Sequence, residues 1–588
     1  MQKLLSWLFF ICCSINLYGQ NRIDGAVQDA LTHDPIGNVS VSIVGDSTKT
    51  VTNQYGLFRL ATPPGAIQLK FEHPRYKTKI VEVFAHDRAL IVLEPLPQTA
   101  ADNELAIAKA KAKARLSRGV NPNYGNVGIG IPVYFNETYG KIYENKFVDA
   151  SNGNVSNFAI DVDRASYSNI RRFIKLKQDV PPDAVRIEEM VNYFCYDYAP
   201  PLDGALFALY TTLSDCPWNP GHLVLQLALK AKQIPSDRLP PSNLVFLIDA
   251  SGSMSAPNKL PLVQAAARVL VENLRPQDKI AIVTYAGAPS LVLNSTPGNE
   301  KEKILQVIDY LSARGATAGE AALHLAYSVA ESHFIPGGNN RVIIATDGDF
   351  NIGQTSDKDM EDLILMKKES GVYLTCLGFG MHDYKDSKLE TLSSKGNGNF
   401  AYIDDLEEAY KVFSREFGGT LFTVAKDVKA TVAFNDQQVA SYRLIGFENK
   451  MIKDPVVDSN FIQGGIIGSG HCVVVLYEIV PRQGIDINSM KNWARLNIKY
   501  RTPVNEQLQE DNFDITTGYT PWHDSPVDFQ FSNAVALFGM WLRGSQYKGD
   551  QPYELVQQLA KKALGKDEAG YRKEFVKLVK QGKKCIKQ

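Results

Sequence analysis

Beyond its first twenty residues, this 588-residue chain has no stretch long and apolar enough to cross a bilayer. Cysteine is scarce, with seven in all and no CxxC pair, so zinc and thioredoxin-type chemistry lack support. HExxH, G-x-S-x-G and a dinucleotide-binding glycine pattern are also missing. Metalloprotease, serine-hydrolase and nicotinamide chemistries therefore lack their residues. An excess of one charge is absent too. The 63 Lys and Arg against 64 Asp and Glu leave a formal net charge of −1. Nothing in that balance points to nucleic acid or to an acidic membrane surface. No internal repeat is found. What is there, 44% hydrophobic and 22% charged residues, is ordinary globular composition. The length suggests about three to five domains.

Met1 to Gln20 reads as a secretory leader: Lys3, the apolar run Leu4 to Cys13, then a polar exit through Tyr18, Gly19 and Gln20. Cleavage near Gly19 or Gln20 gives an exported protein of the periplasm or cell envelope. A lipoprotein-type cut would instead leave Cys12 or Cys13 lipid-anchored, although Phe10 and Ile11 are a poor approach to such a site. Five cysteines remain: Cys195, Cys216, Cys376, Cys472 and Cys585. Cys376 and Cys472 sit in apolar strand runs and read as buried. An oxidising compartment permits a Cys195–Cys216 disulfide without establishing one.

The chain is organised around Asn243 to Ser255, NLVFLIDASGSMS. Leu244 to Asp249 is a near-continuous apolar run ending in a carboxylate, as in a parallel strand covered on both faces. In the turn that follows, Gly252 allows a tight curl that points Asp249, Ser251 and Ser253 at one centre. A carboxylate with two hydroxyls is a hard-oxygen set, suited to Mg²⁺ or Mn²⁺ and not to zinc. Pro257 to Arg275 continues with helical periodicity, so the order is strand, oxygen-rich loop, helix. In an open α/β sheet, ligands bind at that end of the strands. Gly315-Ala316-Thr317-Ala318-Gly319 adds a hydroxyl between glycines just before a helix. Arg341 to Asp347 is a second buried strand ending in a carboxylate. Taken alone, each piece is equally a capping or turn cluster.

In order and context, Asp249, Ser251, Ser253, Thr317 and Asp347 resemble the metal-ion-dependent adhesion site of von Willebrand factor type A domains. The resemblance implies a doubly wound, Rossmann-like α/β domain over 243–416. It also implies a cation held largely directly by Ser251, Ser253 and Thr317, with one or both aspartates acting through water. One open position would then accept an Asp or Glu from a partner protein. Strand–helix alternation supports the fold independently. Strands are expected at Lys279–Ala286, Leu291–Ser295 (an edge), Val372–Phe379 and Phe400–Ile403. Helices are expected at Glu300–Ala313, Ala318–His333, Asp357–Lys368 and Asp405–Phe417.

Residues 21–97 alternate in short runs between turns and read as a β-sandwich. Their G-x-V-x-D, P-I-G-N-V-S-V and T-N-Q-Y-G-L-F strings resemble carboxypeptidase regulatory-like domains, accessory modules without catalytic residues. Residues 98–142 are a linker, within which Glu104 to Arg118 lacks a clean apolar face. In 143–242, the blocks Phe158 to Tyr167 and Pro181 to Phe194, with Pro217-Trp218-Asn219, resemble the segment that precedes the A domain in YfbK-like bacterial proteins. Asp161 and Asp163 share a strand face and read as helix caps, or less readily as a second cation site. Pro182-Asp183 reads as a helix start. Residues 417–588 read as β-sheet (Val424 to Phe434, Cys472 to Ile479), then helices (Asn533 to Arg543, Tyr553 to Val579). Tyr442 to Asn449 resembles the same family's C-terminal domain. That family usually carries an acidic residue where this chain has Ile466, so no role for the loop Ile467 to His471 carries over.

Divalent-cation-dependent adhesion or scaffolding, without catalysis, is the function these features favour. A metal-dependent hydrolase of the envelope is the alternative, with Asp349 as the nearest candidate base; His324 and His333 read as structural. A metal-free structural envelope protein is the third reading.

Overall fold

The computed structural model describes residues 22–586 except 31–35, 54–55, 64, 85–87, 97–136, 161–162, 203, 315–318, 349–356, 382–383, 417–421, 453–463 and 504. The leader, the segment Glu104 to Arg118, Asp161, Thr317 and Asp349 all lie outside the described residues. The chain divides into two compact units, 1–121 and 122–588.

The first unit is a β-sandwich. One sheet joins β1 (Arg22–Asp29) to β4 (Leu57–Ala61) and β7 (Arg88–Leu93). The other has the order β3-β2-β5-β6, from β2 (Ser40–Ile43), β3 (Lys49–Val51), β5 (Ala66–Glu72) and β6 (Lys79–Phe84). Alternate residues such as Val41, Phe58, Leu60, Leu69 and Phe71 point inward into one core, as the period-2 pattern requires.

In the second unit the A domain is a six-stranded sheet of order β14-β13-β12-β15-β16-β17. Its strands are β12 (Ser242–Asp249), β13 (Lys279–Ala286), β14 (Ala288–Pro297), β15 (Asn339–Thr346), β16 (Tyr373–Phe379) and β17 (Phe400–Ile403). All neighbours run parallel except β14, an antiparallel edge on β13. Every residue of β12 is buried. Leu244, Phe246 and Ile248 pack with the helices Leu260–Asn273 and Lys301–Tyr310, whereas Val245 and Leu247 pack with Gly319–Ser332. Covering both faces is what turns an alternating pattern into a continuous apolar run. A helix at Asp386–Lys395, which the sequence pattern did not announce, connects β16 to β17.

The segments on either side of the A domain share their sheets. β10 (Phe207–Asp215) and β11 (Leu223–Ala231) precede it, whereas β19 (Val439–Ile445) and β21 (Cys472–Pro481) follow it. They form one sheet of order β10-β11-β21-β19-β8, with β8 at Val148–Asp149. Similarly β9 (Val155–Ala159) pairs with β18 (Thr423–Phe434), which belongs to a second sheet with β20 (Gly465–Gly468), β22 (Ala494–Thr502) and β23 (Asn505–Ile515). Leu225, Leu227, Val473 and Val475 face this second sheet's Val432, Leu496 and Ile498. Val224, Ala228, Val474 and Leu476 face helices instead, among them α1 (Ala165–Lys175), α2 (Ile187–Asn192), Val527–Arg543 and Tyr571–Gly582. Two sheets and a helical layer therefore form a scaffold into whose sequence the A domain is inserted. Among the described residues, no helix is long and apolar enough to cross a membrane.

Candidate functional site

In the A-domain sheet, β12 and β15 are parallel neighbours whose onward connections run in opposite directions, to β13 on one side and β16 on the other. Such a switch point opens a crevice at the carboxyl ends of the two strands. Asp249 ends β12, and Asp347 follows the last residue of β15. Both carboxylates are fully buried. The sequence pattern thus put each acid at a strand end, and the sheet order brings the two ends together.

The turn after β12 is pinned by its own peptide groups. Ser251 N donates to Asp249 Oδ1 at 2.8 Å, and the Ser251 and Ser253 hydroxyls lie 3.0 Å apart. Ala250 N donates to Tyr285 O at 3.0 Å, while Ala250 O accepts from Arg314 N at 2.7 Å. That last bond ties Arg314 to the Asp249 turn. Thr346, which the sequence reading passed over, donates to Asp249 Oδ2 at 3.4 Å and accepts from Gly348 N at 3.2 Å. Burial pushes the Asp249 carboxyl up to about 6; the Ser251 hydrogen bonds oppose the shift and nearby Asp347 adds to it.

Lys259 is a second site residue that sequence reasoning missed. Its Nζ donates to Asp347 Oδ2 at 2.8 Å, and the side chain is almost wholly buried. The signal was available: a lysine at a helix N-terminus opposes the helix dipole and needs some other reason to be there.

The other candidates within the described residues make different contacts. His324 is exposed on its helix, and His333 Nδ1 lies 3.0 Å from Val329 O. Asp163 does not cap α1, whose N-cap Arg164 has no side-chain capping bond; its Oδ1 accepts from Phe400 N at 2.7 Å instead. Asp163 does share a buried cluster with Glu189 and Glu390. Arg186 and Lys450 enter that cluster too, so it is an ion-paired junction between segments. Asp183 likewise accepts from Ile142 N at 3.0 Å, at the start of a short 3₁₀ turn. Cys195 and Cys216 are both free thiols, so the permitted bridge is not formed.

The blocks that carried the family resemblance are scaffold. Ser166 N donates to Glu189 Oε2 and Ser166 Oγ to Ala184 O, which ties Phe158–Tyr167 to Pro181–Phe194. The Tyr167 and Tyr193 rings stack at 4.1 Å. Asn219 Nδ2 and Trp218 Nε1 donate to the buried Glu478, which also accepts from Arg443. On α1, Arg171 reaches Asp404, Glu408 and Glu574 while 1% exposed.

A von Willebrand factor type A domain model matches residues 243–415, and a carboxypeptidase regulatory-like domain model matches 22–90. A von Willebrand factor model covers 134–226, and one described as uncharacterized protein YfbK, C-terminal, covers 419–585. The chain is 39% identical over 464 residues to uncharacterized protein YfbK of Escherichia coli, across 75% of this chain and 80% of that one. It is 28% identical to uncharacterized protein sll0103 of Synechocystis over 33% of this chain and 45% of the relative. Among solved structures, a von Willebrand factor type A protein from Catenulispora acidiphila aligns over 64% of this chain and 89% of its own, at 15% identity and a TM-score of 0.39. With 39% identity across 80% of the Escherichia coli protein and the family's C-terminal model matched, the chain belongs to the YfbK family.

Proposed function

We propose that this protein is an exported adhesion or scaffolding protein of the cell envelope. It binds a protein partner through Mg²⁺ or Mn²⁺ held by Asp249, Ser251, Ser253, Thr317 and Asp347. The reading rests on one observation: a carboxylate and two hydroxyls from one turn meet a second buried carboxylate at the switch point of a parallel sheet.

The donor set fits such an ion. All the groups are hard oxygens, and a lysine ammonium already stands against Asp347 as a stand-in cation. Ser251 and Ser253 contribute no charge, and Ser251 N fixes the Asp249 carboxylate in orientation. When bound, a divalent ion supplies positive charge that these neutral ligands leave largely uncancelled, and an exchangeable position for an Asp or Glu of the partner. The A-domain match supports protein binding in preference to catalysis.

Calorimetric titration of the full chain with Mg²⁺ and Mn²⁺, wild type beside Asp249→Ala, tests this. Saturable binding is expected in wild type alone, strengthened by an acidic peptide, with both proteins equally folded by circular dichroism. An absence of heat in wild type, with and without the peptide, and equally in a variant without the Lys259 ammonium, overturns the reading. So does metal-dependent turnover of an ester and phosphoester panel, which would make the site hydrolytic.

A further inference from the structure

Lys259 precedes the helix Leu260–Asn273 as its N-cap residue and makes no side-chain capping bond. A cation there faces the positive end of the helix dipole, and a capping Ser, Thr, Asp or Asn would serve the helix better. Its place is explained by the far end of the side chain, where Nζ donates to Asp347 Oδ2 at 2.8 Å. The loop after β16 is shaped around the stem in between. Gly380 has φ +75°, and a Cβ built on it would lie 2.6 Å from Lys259 Cγ and 2.7 Å from Cε. A side chain at 380 would therefore be strained in its own backbone and would collide with the lysine. Gly380 O is itself held by the Tyr402 hydroxyl, so the backbone wall is fixed in place.

A buried carboxylate must be compensated, and removing its cation leaves a large desolvation cost. A lysine meets that need with a compact charge on a four-carbon stem that reaches its partner by rotation alone. A divalent ion bound at the same carboxylate satisfies the same need. Two cations at one buried carboxylate repel each other, so the lysine and the ion compete for it.

We propose that Lys259 is the built-in counter-cation of Asp347, and that a divalent ion gains its place only by displacing the lysine ammonium. The lysine thereby keeps the crevice folded without metal and weakens its grip on the metal. This rests on the reading of the crevice as a divalent-cation site. When one state withholds a site nine-tenths of the time, apparent affinity falls about tenfold. Removing the competitor should restore an affinity of that order.

The test compares full-length wild type, Lys259→Met and Lys259→Gln by Mg²⁺ calorimetry and by melting temperature in EDTA and in saturating Mg²⁺. Lys259→Met is expected to bind Mg²⁺ about tenfold more tightly than wild type. It should melt lower than wild type in EDTA and recover most of the loss in Mg²⁺. If Lys259→Met unfolds in EDTA and refolds on adding Mg²⁺, the proposal is supported through stability instead. If it stays unfolded, Lys259→Gln carries the same comparison. Mg²⁺ affinity equal to or weaker than that of wild type, in either folded variant, overturns this inference while leaving the metal site standing. No heat in wild type with clear binding in Lys259→Met supports it in its strongest form. No heat in any of the three overturns the metal-site reading and this inference with it.

Discussion

Two of the second unit's buried charge clusters are built in different ways. In the crevice of the A-domain sheet, Asp347 is met by the end of a lysine, and the surrounding groups are small oxygen donors. At the junction with the helical layer, Arg171 alone reaches three carboxylates, and its Nη1 also donates to Tyr193 at 3.0 Å. Arg186 bonds Glu189 and Asp386 in the same closed fashion. A guanidinium fixes several acceptors at once in a rigid fork, whereas an ammonium on a flexible stem can let go. The contrast separates charge that holds segments together from charge that is available for exchange. It also accounts for the family blocks, whose residues lie mostly at the closed kind.

The largest effect should follow from opening the junction. Arg171→Ala leaves Asp404 and Glu408, both nearly inaccessible, without their cation. Breaking a buried pair from one side costs about 3–5 kcal/mol. Urea denaturation of the full chain should show a loss of that size or no folded protein. A loss below 1 kcal/mol would remove the distinction drawn here, since the network would then be as loosely held as a surface pair.

A smaller effect, visible only against pH, is expected at Glu188 on α2. Burial, then Glu448 and Glu189, raise its carboxyl to about 7, and Arg543 opposes them. Among the described residues its Oε2 has no hydrogen-bond partner, and Glu144, which also approaches Arg543, adds a further negative group. A carboxyl whose folded value lies above its unfolded value contributes stability at low pH and loses it as pH rises through the folded value. The window here runs from about 4.5 to about 7. Glu188→Gln should therefore flatten the pH dependence across that window. It should stabilise the protein above pH 7 by about 1–3 kcal/mol, since each pKa unit is worth about 1.4 kcal/mol. Denaturation midpoints at pH 5 and pH 8 give the answer. A variant as pH-sensitive as wild type would mean that Glu188 finds compensation in solution.

How much of this could be read from the chain depended on the range of the interaction. Asp249 and Asp347 were legible because each ends a run apolar enough to be a doubly covered strand. Ser251 and Ser253 were legible from their spacing. The helix Asp386–Lys395 was not, because in DSKLETLSSK only two apolar residues, Leu389 and Leu392, mark the buried face. Lys259 sat unnoticed just ahead of the helix Leu260–Asn273, since periodicity weighs apolar residues and not a charge in the wrong place. The pairing of β11 with β21 joins residues about 250 apart, such as Leu227 and Val475, and no local pattern encodes it. Asp163 fell to the same limit: a nearby helix start suggested a cap, but a peptide N–H at Phe400 took the carboxylate.

The smallest effect is expected one helical turn from the largest. Lys175 follows Arg171 by four residues on α1 and reaches the same carboxylate, Glu574, at the same 3.1 Å. It also bonds Asp405 at 3.1 Å. Its side chain is 36% exposed against 1% for Arg171. Partner and distance being matched, what differs is access to water and the number of acceptors each cation fixes. Solvent screens the exposed pair and can take over when it is lost, so Lys175→Ala should cost less than about 1 kcal/mol. In the Arg171→Ala background, Lys175 is the one cation left of the two that bond Glu574 among the described residues, and its removal should then cost more than it does alone. Equal costs in the two backgrounds would show that the two cations act independently, and that burial by itself, without the shared network, separates them.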